Sequence, residues 1–285
     1  MTASPAAVID PGTEFELSDR DFQSIARLVK HETGIVLGPH KRNLVYGRLA
    51  KRLRLHRMTN FGSYLELLQG PDSATEFREM LNAITTNLTA FFREGHHFEL
   101  LEQEILPALM RKRRQAGQRL RLWSSACSSG EEAYSMAMSV AAVLPQFPDC
   151  DVKILATDID TQMVRTAAAG VYDEKRIETV PPRFRSRFLK PTEDGQYRVT
   201  DELKSLVVFR ELNLFDRWPM KGPFDVIVCR NVMIYFDKPS QDLLFDRFAD
   251  YMSKDGWLLI GHSETVPATN QRLIRSGKTA YRRAS

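Results

Sequence analysis

The sequence predicts an α/β protein in two parts: a small all-α domain, then a larger domain built on a parallel sheet flanked by helices. Three observations carry this. Apolar residues recur at helical spacing from Leu17 to about Thr86. Short β-type runs then alternate with helical stretches, as parallel strands joined by crossover helices do. Between the second and fourth of those runs, "VKILATD" and "FDVIVC", lie about 65 residues, more than one crossover helix needs.

Taken in order, residues 1–17 read as a flexible tail. The start "MTASPAAVIDPGTEFELS" has neither the basic opening nor the apolar stretch of a signal peptide. Residues 18–86 form the helical domain, with Phe22, Ile25, Ala26 and Val29 on one helix face and Val45, Leu49 and Leu53 on another. The second domain, 87–285, opens with a long helical pattern, "HHFELLEQEILPALMRKRR", and carries the runs "LRLWSSA", "VKILATD", "LVVFRELNL", "FDVIVC" and "WLLIGHS". In "FLKPTEDGQYRVTDELKSLVVF" a turn signal at Glu193-Asp194-Gly195 separates strand-like segments, so a small antiparallel insertion is expected over about 172–207.

Composition excludes several classes. With 285 residues, 43% hydrophobic and 27% charged, the chain buries a sizeable core and is not disordered. No apolar run approaches the roughly 18 residues of a membrane span, and a cytoplasmic protein without membrane insertion is expected. Three cysteines without C-x-x-C spacing indicate neither a disulfide framework nor a zinc site. The His96-His97 pair has no i, i+4 partner, so no metal is expected. The net charge of +4 is mild, but "KRNLVYGRLAKRLRLHR" (41–57) holds seven Lys or Arg and no acid.

Ligands of open parallel sheets bind outside the carboxyl ends of the strands. Here the first run leads into "SSACSSGEEAYSMAM", where Gly130 allows close backbone approach and Glu131 and Glu132 open a helix. The second ends in Asp158 and Asp160, the third at Asn213 and Leu214, the fourth at Arg230 and Asn231. Each has a plainer reading: acids of a first turn favoured by the helix dipole, Asp158 as a helix cap, Asn213 as a turn residue, Arg230 as a surface charge. Four polar strand ends on one rim are not required by folding. There is no G-x-x-x-x-G-K-[ST] phosphate loop, and two glutamates at a helix N-terminus repel a pyrophosphate. They suit a cationic ligand, and an acid after the second strand suits ribose hydroxyls, although Asp158 follows Gly130 by 28 residues instead of about 20. An amino acid joined to a nucleoside without phosphate, S-adenosylmethionine, fits both.

The segments "NLTAFFRE", "WSSACSSGEEAYSMA", "ILATDID", "FDVIVCRNVMIYFD" and "LLIGHSE" resemble, in order, the motifs of the CheR-type chemotaxis receptor methyltransferases. The resemblance covers the chain from about residue 18. It implies a helical N-terminal domain joined to a Rossmann-like methyltransferase domain with a small β-subdomain. It further implies methyl transfer from S-adenosylmethionine to receptor glutamates, leaving γ-glutamyl methyl esters and S-adenosylhomocysteine. By motif position, Asn87, Thr89 and Arg93 line the cofactor site, Glu131 meets the methionine end and Asp158 the nucleoside. Asn213, Leu214, Arg230 and Asn231 complete the adenine side and the mouth.

A glutamate carboxylate is already deprotonated, so the reaction asks for alignment more than for a base. Arg93 or Arg230 is a candidate to orient it, and Tyr235 to shape the transfer channel; the plainer reading of Tyr235 is a core aromatic beside Met233, Ile234 and Phe236. A Cys127–His262 nucleophile pair lacks the G-x-S-x-G elbow and a third group. "VPPRF" (180–184) lies before the fourth strand and does not match an amine-methylating Asn-Pro-Pro-Tyr.

Arg48, Lys51 and Arg52 share a helix face opposite Val45, Leu49 and Leu53. That face is a solvated surface, a docking face for the acidic helical bundle of a receptor, which the resemblance favours, or a phosphate-binding face of a nucleic-acid methyltransferase. A non-catalytic module that keeps the cofactor pocket is the third reading. The expected enzyme is a monomer recruited to receptor arrays. Family members whose β-subdomain grips a receptor-tail pentapeptide resemble one another in a longer glycine-containing loop. "FLKPTEDGQYRV" is compact, and independence from such a tether is expected.

Overall fold

A computed structural model describes residues 14–71 and 73–284. These fall into two compact units that divide between Thr86 and Asn87. Of the tail expected over 1–17, residues 1–13 lie outside the described residues. Phe15 and Leu17 are buried, and the Phe15 amide donates to the Tyr46 hydroxyl at 3.1 Å.

The first unit is four helices, α1 (Asp19–Thr33), α2 (Arg42–Leu55), α3 (Phe61–Gln69) and α4 (Ala74–Ile84). Ser18 and Asp21 form a capping box at the start of α1, and Gly34, at φ 72°, ends it. Of the apolar faces read from the sequence, Phe22, Ile25 and Val29 on α1 and Val45, Leu49 and Leu53 on α2 are buried, and Ala26 is half-buried. Beneath them lies a buried carboxylate. Glu76 accepts from Arg52 Nε at 2.9 Å, His56 Nε2 at 2.6 Å and the Tyr64 hydroxyl at 2.6 Å. Burial pushes its pKa up, and these bonds outweigh burial and hold it below the ordinary value.

The second unit opens with α5 (His96–Leu100), which widens into one π turn at Leu101–Ile105 and continues as α6 (Leu106–Gln115). Pro107 has no amide hydrogen for the ladder there, which is where a helix accommodates an irregular turn. The strands and helices that follow are β1 (Leu120–Ser124), α7 (Glu131–Val143), β2 (Val152–Asp158), α8 (Thr161–Ala169), β3 (Val171–Tyr172), α9 (Glu174–Ile177), α10 (Pro182–Phe188), β4 (Leu189–Pro191), β5 (Tyr197–Val199), α11 (Asp201–Lys204), β6 (Val207–Glu211), β7 (Phe224–Cys229), α12 (Lys238–Tyr251), β8 (Met252–Ile260), β9 (Leu273–Gly277) and β10 (Ala280–Arg283).

Seven strands form one sheet in the order β6-β2-β1-β7-β8-β10-β9. The five strands read from the sequence are mutually parallel. The hairpin β9–β10 adds antiparallel strands, making the sheet mixed. Its "LIRSG" and "AYRR" are short and charged because they lie at the sheet's end, so they lack the apolar run of a central strand. The order reverses between β1 and β7, the switch point of a Rossmann-like sheet. A small antiparallel sheet β3-β5-β4 is present, its strands lying between Val171 and Val199, with Gly195 at φ 74° in the turn between β4 and β5.

Trp123 of β1 anchors one face of the core. It is fully buried against the rings of Trp218, Phe224 and Phe248, with centroids 4.8, 5.3 and 5.5 Å away. Its indole N–H donates to Thr157 Oγ1 at 2.9 Å, so the polar tip is satisfied. Among the described residues, no helix is long and apolar enough to cross a membrane.

Candidate cofactor site

The loops after β1 and β7 flank the switch point, and both depend on left-handed backbone. Ser128 sits at φ 48° and Gly130 at φ 98°. A Cβ on Gly130 would come within 2.8 Å of Ala167 Cβ and 2.9 Å of the Tyr172 hydroxyl, so only glycine lets α7 start there. Asn231, at φ 58°, turns the chain out of β7, a conformation asparagine tolerates.

That second turn is built on a residue to which the sequence reading assigned no role. The buried Glu264 carboxylate accepts four backbone N–H groups: Asn231 at 3.0 Å, Val232 at 2.9 Å, Met233 at 2.8 Å and Gly261 at 2.6 Å. It lies in the quoted "LLIGHSE" with Gly261, but the other three partners are some thirty positions earlier in the chain, and nothing local announces them.

Asp158 closes β2. Its Oδ2 accepts from the Ser128 amide at 2.7 Å and its Oδ1 from the Asp160 amide at 2.9 Å. Burial raises its pKa to about 6 against those two bonds. The helix cap is Asp160, which accepts from the Gln162 and Met163 amides, so Asp158 does not cap α8. Asn87 Nδ2 donates to Asp160 Oδ2 at 2.7 Å, and the Asn87 carbonyl accepts from Ser128 Oγ at 3.1 Å. Asn87, Ser128, Asp158 and Asp160 are thus one cluster, with Thr89 half-buried two residues along.

The two glutamates of α7 face different partners. Glu131, 1% exposed, pairs with Arg176 at 2.6 Å and accepts from Ser129 Oγ at 2.8 Å. A ligand ammonium arriving there would share it with Arg176. Glu132 accepts from Ser124 Oγ at 2.7 Å and meets Arg230 Nη1 at 3.3 Å. Burial pushes the pKa of both glutamates up, and the arginine beside each opposes it.

Arg230 is not a surface charge. It is 6% exposed, lies 3.6 Å from Glu94 Oε1 and donates to the Arg93 carbonyl. Its guanidinium therefore holds the loop that carries Arg93. Arg93 itself is half-buried and donates to the Leu88 carbonyl at 2.9 Å. Tyr235 is half-buried between Met233 and Phe236, which are in the core, and next to Ile234, which is 51% exposed. Asn213 makes a side-chain turn to the Phe215 amide at 3.0 Å, and Phe215 packs edge-on against Phe236 at 5.0 Å, joining that loop to the one bearing Tyr235. Leu214 is buried, its carbonyl accepting from Trp218 Nε1 at 3.1 Å.

In the helical unit, two of the three basic residues of the expected docking face turn inward. Arg48 donates to the Thr85 carbonyl at 2.6 Å, past the end of α4, and Arg52 is bound to Glu76. Lys51 is exposed. Cys127 is fully buried, which pushes its thiol pKa up, while His262 bonds Glu94 at 2.9 Å, so the two are no nucleophile pair. A shallow groove of about 250 Å³ lined by Tyr134, Lys204 and Val207 to Arg210 lies along the edge strand β6.

This donor set fits S-adenosylmethionine. A carboxylate offers about four lone-pair sites, and Asp158 spends two on backbone amides, leaving acceptors for ribose hydroxyls. Acids stand at the start of α7, where a phosphate ligand would need amides and a lysine.

Residues 87–282 match the family described as "CheR methyltransferase, SAM binding domain", and residues 20–85 its "CheR methyltransferase, all-alpha domain". The chain is 44% identical over 259 residues to a probable chemotaxis protein methyltransferase of Rhizobium etli, covering 90% of this chain and 96% of that one. It is 42% identical over 269 residues to the chemotaxis protein methyltransferase of Escherichia coli, covering 93% and 91%. With both units matched and the strand-end residues standing around one switch point, the chain belongs to the CheR family of S-adenosylmethionine-dependent methyltransferases.

Proposed function

We propose that this methyltransferase esterifies glutamate side chains of methyl-accepting chemotaxis receptors, yielding γ-glutamyl methyl esters and S-adenosylhomocysteine. The observation that carries the reading is the contrast between two arginines. Arg230 is buried among acids, whereas Arg93 is half-buried and, among the described residues, makes no ion pair. A guanidinium free of carboxylates at a rim of buried acids suits an anionic acceptor.

The cofactor supplies an electrophilic methyl group, and a glutamate carboxylate, deprotonated at neutral pH, needs no base to accept it. Arg93 orients that carboxylate, Arg230 positions the Arg93 loop, and Tyr235 lines the approach. Asp158 with Asn87, Thr89, Asn213, Leu214 and Asn231 holds the nucleoside side, and Glu131 the amino-acid end. The partner is the cytoplasmic helical bundle of a receptor, met by a monomer recruited to receptor arrays. The relatives' names, chemotaxis protein methyltransferase, support the same partner.

The test is incubation with methyl-labelled cofactor and membranes bearing candidate receptors. Label should enter receptor protein and leave as volatile methanol in mild alkali. Alkali-stable label, or label in nucleic acid, would sink the reading.

A further inference from the structure

We infer that Glu94, His96 and His97 form a binding site for a divalent late first-row transition cation of the Zn²⁺ class. The histidine pair has no partner at helical spacing, but Glu94, at φ 57°, precedes the Gly95 cap of α5 and brings its carboxylate near the two imidazoles. One ligand atom from each of the three lies within 4.8 Å of the other two.

Three buried atoms of these residues, Glu94 Oε2, His96 Nε2 and His97 Nδ1, have no hydrogen-bond partner. Buried polar atoms are nearly always satisfied, so three orphans in one cluster ask for an occupant. The tautomer of His97 sharpens this. Thr279 Oγ1 donates its hydrogen to the Lys278 carbonyl at 2.7 Å, so in its 2.9 Å contact with His97 it accepts from Nε2–H. Nδ1 of a neutral imidazole then carries a bare lone pair. It faces the Glu94 Oε2 lone pairs at 3.9 Å, and His97 is 1% exposed, so no bulk water intervenes. Two acceptors pointed at each other are stabilised by a cation between them.

The surroundings are those of a ligand shell. Ligating histidines usually donate their other ring N–H, and ligating carboxylates are themselves hydrogen-bonded. His97 does the first through Thr279, and Glu94 the second, its Oε1 meeting His262 Nδ1 at 2.9 Å and Arg230 Nη2 at 3.6 Å. Glu132 also lies against Arg230, so this buried guanidinium faces two carboxylates. Two imidazoles and a carboxylate are a His₂Glu set, which suits zinc, cobalt, nickel or copper better than magnesium or calcium. Ligands about 2.0–2.1 Å from a tetrahedral ion stand roughly 3.4 Å apart, so the 3.9 Å pair of Glu94 Oε2 and His97 Nδ1 closes by about half an ångström, and an atom at the 4.8 Å limit of the cluster moves in by more than one ångström.

The experiment uses the untagged full chain, stripped with chelator, titrated with Zn²⁺ in a calorimeter and with Co²⁺ by visible absorption. The expected result is one ion per chain, a Co²⁺ spectrum without a thiolate charge-transfer band, and a higher melting temperature with Zn²⁺. His96→Ala and Glu94→Gln should each weaken Zn²⁺ binding by about tenfold or more. His96 is only half-buried, so that variant is expected to fold, and circular dichroism checks it. Absence of binding at molar excess of metal overturns the proposal. So does equal affinity in the parent and both variants, which would place the ion elsewhere.

Discussion

Arg230 and Glu132 form a buried ion pair between the end of β7 and the start of α7, with Nη1 of the one 3.3 Å from Oε2 of the other. Both side chains are nearly inaccessible, at 2% and 10% exposure, and Glu94 lies 3.6 Å from the same guanidinium. The arginine thus compensates two acids, as the proposed reading, in which Arg93 meets the substrate, requires. Arg230→Ala should lower the unfolding free energy by about 3 to 5 kcal/mol, since it strands buried charge. Adding Glu132→Gln should recover part of that loss in a urea-unfolding double-mutant cycle. A variant as stable as the parent but without turnover would instead place Arg230 on the substrate.

Asp158→Ala should weaken cofactor binding about ten- to a hundredfold, or about 1.5 to 3 kcal/mol, by removing a charged acceptor of ligand hydroxyls. The fold should persist, because α8 is capped by Asp160. Burial holds the Asp158 pKa at about 6 in the ligand-free chain. Ionising it therefore costs the free protein stability as pH rises from the unfolded value through 6. Bound hydroxyl donors favour the ionised form. Affinity should thus be full above about 6 and fall as pH drops through it, by up to about tenfold per pH unit, with proton release on binding. Calorimetric titration with S-adenosylhomocysteine on both sides of that value checks it, and a pH-independent affinity would remove Asp158 from the ligand.

The five parallel strands and the rim they deliver were legible because periodicity and strand-end polarity are local properties of the chain. What was not legible depends on distant pairings. Glu131 and Glu132 are adjacent, yet one meets Arg176 and the other Arg230. The carboxylate that shapes the Arg230–Asn231 turn comes from Glu264 beyond β8. The basic face of α2 shows the same limit. Angular position put Arg48, Lys51 and Arg52 together, but arginine is long enough to leave its face, and Glu76 of α4 draws Arg52 inward.

That inward turn changes what charge substitution should do. Lys51→Glu should slow receptor methylation, most at low salt, and leave cofactor affinity intact, because an exposed charge acts on encounter and register. Arg52→Ala should instead destabilise the helical unit by about 3 kcal/mol, since Glu76 is buried and relies on it. Receptor methylation in several salt concentrations, with thermal melts of both variants, separates the effects. Unchanged methylation by Lys51→Glu would remove α2 from the docking surface.

The small sheet β3-β5-β4 decides whether a receptor tail can be gripped by strand addition, which needs an exposed edge with unpaired N–H and C=O groups. Its two edges are β3, of two residues, and β4, of three. The last residue of β4 is Pro191, which has no N–H to offer. The turn beyond closes at once, the Thr192 amide donating to the Gln196 carbonyl at 2.8 Å. So short an edge supplies too few backbone bonds to offset the cost of ordering a flexible peptide. A free tail pentapeptide should therefore show no saturable binding, and truncating the receptor tail should not slow methylation. Micromolar binding of the peptide would mean that the turn opens to extend β4, and that the tether, not the helical bundle alone, brings this enzyme to its substrate.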